Sequence, residues 1–299
     1  MEAQIQEFLT ALLDEKGYAP NTIDAYRNDL EQLLNFALNE RPNLTQWSRV
    51  DKPLLLSFLI HLKDRQYTAS SVSRKVAVIK TFFHHLSERR LVTDNPTATL
   101  DSPKVDKRIP RVLAPDEVER LLAAPVQNST PKGLRDRAIL ELLAASGLRV
   151  TELVSLNIED VNLEANWVRC GGSGVKRRVI PVETRARDAI AEYLNRARPA
   201  MTANADEHAL FVNPHGERLT RQGLWLIIKE YVKAANISVP VSPHMLRHSF
   251  AVHLLNGGTN LQNVQRLLGH TSIATTQVYQ RLVEQRALVP VRDSNITED

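Results

Sequence analysis

The chain has 299 residues, 43% of them hydrophobic, and a formal net charge of +4 at neutral pH. That length suits two domains, the hydrophobic share suits packed cores, and no apolar run approaches the roughly 18 residues of a membrane helix, so no membrane insertion is expected. The single cysteine, Cys170, excludes an intrachain disulfide and a cysteine-built metal site, while a sequence pI of about 9.2 is a mild pointer to a polyanionic partner.

The first hundred residues read as helices only. MEAQIQEFLTALLDEKGY is acidic and amphipathic. It lacks the basic start and apolar centre of a secretory leader, so a cytoplasmic location is expected. After Pro20, the residues Ile23, Tyr26, Leu30, Leu33 and Leu34 recur at helical spacing. Ser70 or Ser71 is placed to cap SVSRKVAVIKTFFHHLSERR, where Val72, Val76, Ile79, Phe82, Phe83 and Leu86 form an apolar stripe. Arg74, Lys75 and Lys80 lie off that stripe, either as a solvated face or as a phosphate-contacting one. Asn95-Pro96 stops this region. The proline-rich, basic segment DSPKVDKRIPRVLAP follows, and proline keeps such a segment extended. The expected division is a helical domain over 1–100, a linker over 101–114 and a second domain over 115–299.

The second domain reads as mixed. A helix starts over Asp116 to Leu122, and GLRDRAILELLAASG is another, ended by Gly147. NWVRC, RRVIPV and ALFVN are strand-like, and GGSGVK reads as the turn of a hairpin between the first two. From LTRQGLWLIIKEYVKAANI the chain reads as helical to about residue 285. The fold class is therefore mainly α with a small β-sheet.

Three C-terminal segments carry the polar residues of interest. In SPHMLRHSFAVHLLNGG, Ser242 is a natural N-cap and Pro243 suits the first helical position. His244 and Arg247 stand at i and i+3 near a helix N-terminus, where free N–H groups and a partial positive charge favour an anion such as phosphate. In NLQNVQRLLG, Leu261, Val264, Leu267 and Leu268 face a core, and Gly269 and His270 follow. SIATTQVYQRL carries Tyr279. Taken singly, each is as compatible with a capped surface helix or a packed tyrosine. Upstream, ASGLRVTELVSL places Arg149 between Gly147 and a new helix.

The ordered set Arg149, Gly-rich hairpin, HMLRH, LLGH and a tyrosine nine residues after His270 resembles the tyrosine recombinase and phage integrase family. SPKVDKRIP, EVERLLAAP, SPHMLRHSFAVHLLNGG and QRLLGHTSIATTQVY are similar to the Xer type, nearer XerD than XerC, and the resemblance covers nearly the whole chain. It implies a helical core-binding domain that grips DNA and a mixed α/β catalytic domain. It implies that Tyr279 attacks a DNA phosphodiester to form a 3′-phosphotyrosine. Arg149 and Arg247 would clamp the non-bridging oxygens, for which planar guanidinium is suited. His244 and His270 would donate hydrogen bonds and help move the phenol proton. No cofactor and no metal are expected, the arginines standing where a metal nuclease has Mg²⁺. The family's hairpin lysine, the acid for the leaving 5′-oxygen, is replaced at the matching position by Ser173, and Lys176 is the lysine left to serve.

The implied function is site-specific DNA recombination, of the Xer kind that resolves chromosome dimers at a dif-like site. The implied partners are double-stranded DNA, further copies or a paired Xer recombinase in a tetrameric synapse, and the translocase FtsK. Alternatives are a mobile-element integrase, a DNA-binding recombinase impaired by Ser173, and a type IB topoisomerase. That no arm-binding domain precedes Met1 speaks against a lambda-type integrase. The residues after the nucleophile, RLVEQRALVPVRD, are expected to form a short helix that docks on a neighbouring protomer through Leu282, Leu288 and Val289.

Overall fold

A computed structural model describes residues 1–103, 111–127, 130–171, 177–202 and 207–287, with backbone alone at 126–127 and 285–287. The chain divides into two compact units, Met1–Lys107 and Arg108–Asp299.

The first unit is built from α1 (Glu2–Asp14), α2 (Pro20–Glu40), α3 (Lys52–Asp64) and α4 (Ala69–Glu88). Each helix turns an apolar stripe inward, as period-3.6 patterning requires. Ile5, Phe8, Leu9 and Leu12 come from α1 and Leu30, Leu33 and Leu34 from α2. The six stripe residues of α4 are all buried. Phe8, Trp47, Phe82 and Phe83 meet edge to face with ring centroids 4.9–5.9 Å apart, the arrangement that the aromatic quadrupole favours.

Two readings of α4 are corrected. Thr68, not Ser70 or Ser71, is the N-cap, and its hydroxyl accepts the Ser71 N–H. Lys75 is buried rather than solvated or free for phosphate. Its ammonium donates to Asp29 Oδ1 at 2.7 Å, and Arg74 pairs with the other oxygen of the same buried carboxylate. A charge can be buried only when paired, and this pair joins α2 to α4.

The second unit contains α5 (Pro115–Ala123), α6 (Pro131–Ser146), α7 (Val150–Ser155), α8 (Thr184–Glu192), α9 (Arg198–Met201), α10 (Arg221–Ala234), α11 (Pro243–Asn256), α12 (Leu261–Leu268) and α13 (Ile273–Ala287). A single π-helical turn, Tyr193–Ala197, joins α8 to α9. The sheet is antiparallel in the order β1 (Val161–Asn162), β2 (Trp167–Cys170), β3 (Arg178–Pro181). Val168 opposite Ile180 gives it a buried face. α6 is apolar around most of its surface, burying Ala138, Ile139, Leu140, Leu142 and Leu143, so it forms the centre of this unit. Its fully buried Arg135 and Asp136 are paired: the Arg135 guanidinium donates to Asp136, which also accepts from the Tyr231 hydroxyl.

The strand-like NWVRC and RRVIPV become β2 and β3. ALFVN does not become a strand. Ala209 and Val212 each make one isolated bridge, and the segment is held because Ala209, Leu210, Phe211 and Val212 are all buried. Val112 and Leu113, in the stretch expected to be linker, pack in the cores of the second unit, and the Leu113 N–H donates to Ser249 Oγ at 2.9 Å. The expected short helix after Tyr279 is a continuation of α13 through Ala287. Leu282 is buried beside Val112, Phe250 and Tyr279 of its own unit, so it is not an anchor for a neighbour. Leu288 and Val289 lie outside the described residues, as does the hairpin turn with Ser173 and Lys176.

Candidate active site

Two helix ends create the site. α6 stops at Gly147 (φ +58°) and α12 at Gly269 (φ +63°), each in the left-handed conformation that glycine adopts without a Cβ penalty. A Cβ on Gly147 would run into the Phe250 ring, so this turn requires glycine twice over. The last carbonyls of both helices are left without helical partners, and three arginines take them. Arg247 donates to Gly147 O and Leu268 O, both at 2.5 Å. Arg149 donates to Gly269 O at 3.0 Å, and Arg178 donates through Nε to Leu267 O at 2.7 Å. The negative ends of the helix dipoles thereby offset the repulsion between the guanidiniums.

Glu152 ties the arginines together. Its carboxylate accepts from Arg178 at 2.7 and 3.0 Å, from the Arg149 guanidinium at 3.0 Å and from the Arg149 backbone N–H at 2.7 Å. Arg247 stands 4.0 Å away. Burial alone would raise the Glu152 pKa, but the Arg178 hydrogen bonds, the Arg149 N–H and the two cationic charges outweigh it and hold the carboxyl below its ordinary value. Arg247 is 4% exposed. Desolvation first, then the neighbouring Arg149, lower its pKa to about 10, which leaves it charged at neutral pH.

The arginines differ in what they keep free. A guanidinium has five N–H donors. Arg178 commits donors on all three of its nitrogens to protein oxygens. Arg149 and Arg247 each have bonds on their two terminal nitrogens only, and the Arg149 side chain is 37% exposed. Arg178 is thus a brace, and Arg149 and Arg247 retain donors for an anion.

Tyr279, on α13, lies against this cluster and is 3% exposed. Its hydroxyl meets Nδ1 of His248 at 2.7 Å. Its ring stacks on His270 with centroids 6.2 Å apart. His270 Nδ1 is itself bonded to Thr276 Oγ1 at 2.9 Å. Burial raises the Tyr279 pKa, with Arg247 and Arg149 pulling the other way. Burial and nearby positive charge lower His248 and His270 to about 4 each, so both rings are neutral at pH 7. His244 is exposed in the first turn of α11, close enough to His248 to act on its charge.

Of the residues singled out in the sequence, Arg149, Arg247, His270 and Tyr279 come together, and His244 stands at the rim beside His248. Three further residues were not singled out: Glu152, Arg178 and His248. Glu152 had a legible signal, an acidic residue three positions after a helix start, which is where a carboxylate reaches back to the first N–H. His248 had one too, at i+4 from His244 on the same helix face. Arg178 had none, because its partners, Glu152 and Leu267, come from two distant segments.

A sequence model of the phage integrase family matches residues 111–286, and one described as the phage integrase N-terminal SAM-like domain matches 5–90. The tyrosine recombinase XerC of Herpetosiphon aurantiacus is 46% identical, over 96% of this chain and 93% of its own. The tyrosine recombinase XerD of Oceanobacillus iheyensis is 38% identical, over 96% of each. The Xer likeness therefore stands, and of these two relatives the XerC protein is nearer, against the expected lean to XerD. A solved structure of the XerH site-specific recombinase bound to a palindromic difH substrate shares the fold, with a TM-score of 0.76 and 20% identity over 96% of this chain and 83% of that one. Because the family model spans more than half of the chain and such relatives run along almost all of it, the chain belongs to the phage integrase family and is a site-specific tyrosine recombinase, an enzyme that breaks and rejoins DNA.

Proposed function

We propose that Tyr279 is the nucleophile of this recombinase and that Arg149 and Arg247 bind the phosphate it attacks. The observation that carries this reading is the surplus of positive charge beside the phenol. Arg149 and Arg247 keep unspent donors next to Tyr279, while one carboxylate and two helix ends hold them in place. Extra negative charge develops on the non-bridging oxygens in the transition state, and fixed guanidinium donors stabilise it there. Phosphotyrosine formation conserves the bond for religation, so no nucleotide cofactor is required. His244 and His270 are assigned to hydrogen bonds at the phosphate, and Lys176 to protonation of the leaving 5′-oxygen. The basic segment expected over 101–114 would link the two domains along the DNA backbone up to Val112 and Leu113, which pack in the second unit.

The names of the relatives support a finer reading. The substrate would be a dif-like site bound by four protomers, of this chain alone or paired with a second Xer recombinase. The role would be resolution of chromosome dimers in the cytoplasm, with FtsK as the activating partner. The test is a nicked suicide substrate, on which cleavage traps a covalent complex. Tyr279→Phe should bind DNA as the parent does and form no SDS-resistant adduct. An adduct in the Phe variant removes Tyr279 from the nucleophile's place.

A further inference from the structure

Three imidazoles stand near Tyr279, and they are not equivalent. His270 stacks its ring face on the phenol ring, and its Nδ1 is occupied by Thr276 Oγ1. His244 is exposed, one turn before His248 on α11. His248 alone has a ring nitrogen on the phenol oxygen, at 2.7 Å with ring centroids 5.5 Å apart. The helix that carries it is held in place. α11 is anchored on either side of it, by Arg247 bonded to two helix ends and by Ser249 bonded to the Leu113 N–H. The Tyr279 helix packs against α11, with Tyr279 and Leu282 in one core with Phe250, Ala251 and Val252.

We propose that His248 Nδ1 is the acceptor of the Tyr279 proton during strand cleavage, and its donor during religation. This rests on Tyr279 being the nucleophile. In the forward step the Oη–H bond breaks and its proton moves to Nδ1. The Oη electron pair forms the bond to phosphorus. The P–O5′ bond breaks, and the 5′-oxygen takes a proton from the hairpin lysine or from water. In the reverse step the 5′-hydroxyl returns its proton to that lysine or to water and attacks phosphorus, the P–Oη bond breaks, and the departing phenolate recovers its proton from His248. A neutral ring fits the forward role, since only an unprotonated Nδ1 accepts. Burial, His244 and Arg247 keep the ring neutral before DNA arrives. A phosphodiester bound to Arg149 and Arg247 adds a negative charge and strengthens His248 as a base when it is needed.

The test combines two changes. His248 is replaced by Ala or by Asn, and in each protein residue 279 is either tyrosine or difluorotyrosine, whose phenol is more acidic. Adduct formation on the nicked suicide substrate is timed at saturating DNA, with the adduct mapped to residue 279 by peptide mass. His248→Ala and His248→Asn should both cleave slower by about 10²-fold, the usual worth of a positioned base, with DNA affinity little changed. Difluorotyrosine should recover most of that loss in both variants while changing the parent little. Full activity in His248→Ala overturns the assignment. So does full activity in His248→Asn, whose amide can hold the hydroxyl but cannot take its proton, and so does a loss that difluorotyrosine leaves untouched. If His248→Ala does not fold, the Asn variant decides alone. An adduct that maps elsewhere refutes the nucleophile itself, whatever the His248 variants do.

Discussion

Two clusters, one in each unit, set a carboxylate among cations, Asp29 in the first and Glu152 in the second, and they have opposite designs. In the first unit Asp29 meets Lys75 and Arg74 and draws α2 and α4 together. Lys75 is buried, and its charge is consumed by the pair. In the second unit Glu152 has Arg149 and Arg178 bonded to it and Arg247 4.0 Å away, so positive charge exceeds negative. Backbone carbonyls rather than further carboxylates hold the excess in place. A buried lysine matched to a buried carboxylate, with a half-exposed arginine beside it, locks a fold, whereas three arginines around one carboxylate, two of them keeping spare donors, are arranged for an anion still to come. Net charge, at +4 for the whole chain, does not reveal this difference.

Removing each carboxylate in turn should give the largest contrast. Asp29→Asn and Glu152→Gln both leave buried cations uncompensated, so each should lower stability by about 3–5 kcal/mol, read from urea unfolding. Only Glu152→Gln should also abolish adduct formation at saturating DNA, because only there are the freed cations those proposed to hold the phosphate. Equal adduct rates in the two variants would break the comparison. The pH dependence separates them further. The Glu152 pKa is lowered in the folded chain, so its contribution is complete above the unfolded carboxyl value of about 4.3 and is lost as pH falls through the folded value. The parent should therefore lose stability in that acid range more steeply than Glu152→Gln does.

The first unit was largely legible in the sequence. Its apolar residues recur at helical spacing, and the stripe of α4 is buried residue for residue. Reading Lys75 as solvated or phosphate-contacting failed for a physical reason: a lysine is buried only where a carboxylate awaits it, and Asp29 lies 46 positions away. The site was legible in its ordered motifs, which bring Arg149, Arg247, His270 and Tyr279 together. It was not legible in its bracing. Arg178 reaches Leu267 across 89 positions and Glu152 across 26, and no local pattern encodes either contact. ALFVN failed as a strand because burial makes an apolar segment look strand-like even where it pairs only through two isolated bridges.

A smaller effect should come from Arg247→Lys. The charge stays, but a lysine cannot bond Gly147 O and Leu268 O together and still face a phosphate. Adduct formation should fall by about 10²–10³-fold, as when one oxyanion donor is lost. DNA affinity should change only a few-fold, since binding is spread over many phosphates. A variant that cleaves normally would mean that Arg247 belongs with Arg178, as a brace.

The smallest effect is a fraction of a proton. His270 is lowered to about 4 by burial and by Arg247 and Arg149. A phosphodiester between those arginines cancels part of their charge and should raise the His270 value, so DNA binding near pH 5 should take up protons. Titration calorimetry in buffers of different ionisation enthalpy measures that uptake. It should shrink at pH 7 and disappear in His270→Ala, provided the His248 contribution is subtracted through His248→Asn. Proton release on binding would contradict the sign.

The arginine anchors at the ends of α6 and α12 bear on how such an enzyme can change its target. Gly147 O, Leu267 O, Leu268 O and Gly269 O are main-chain atoms, present whatever side chains the neighbouring positions carry. The cutting machinery is thus insulated from drift in the surrounding sequence, apart from the two glycines, the arginines and Glu152. Surfaces that read DNA can diversify, in nature or in the laboratory, while the cleavage apparatus stays in register. Retargeting should therefore be sought away from these helix ends, and a loss of cleavage during retargeting should be traced first to Gly147 and Gly269.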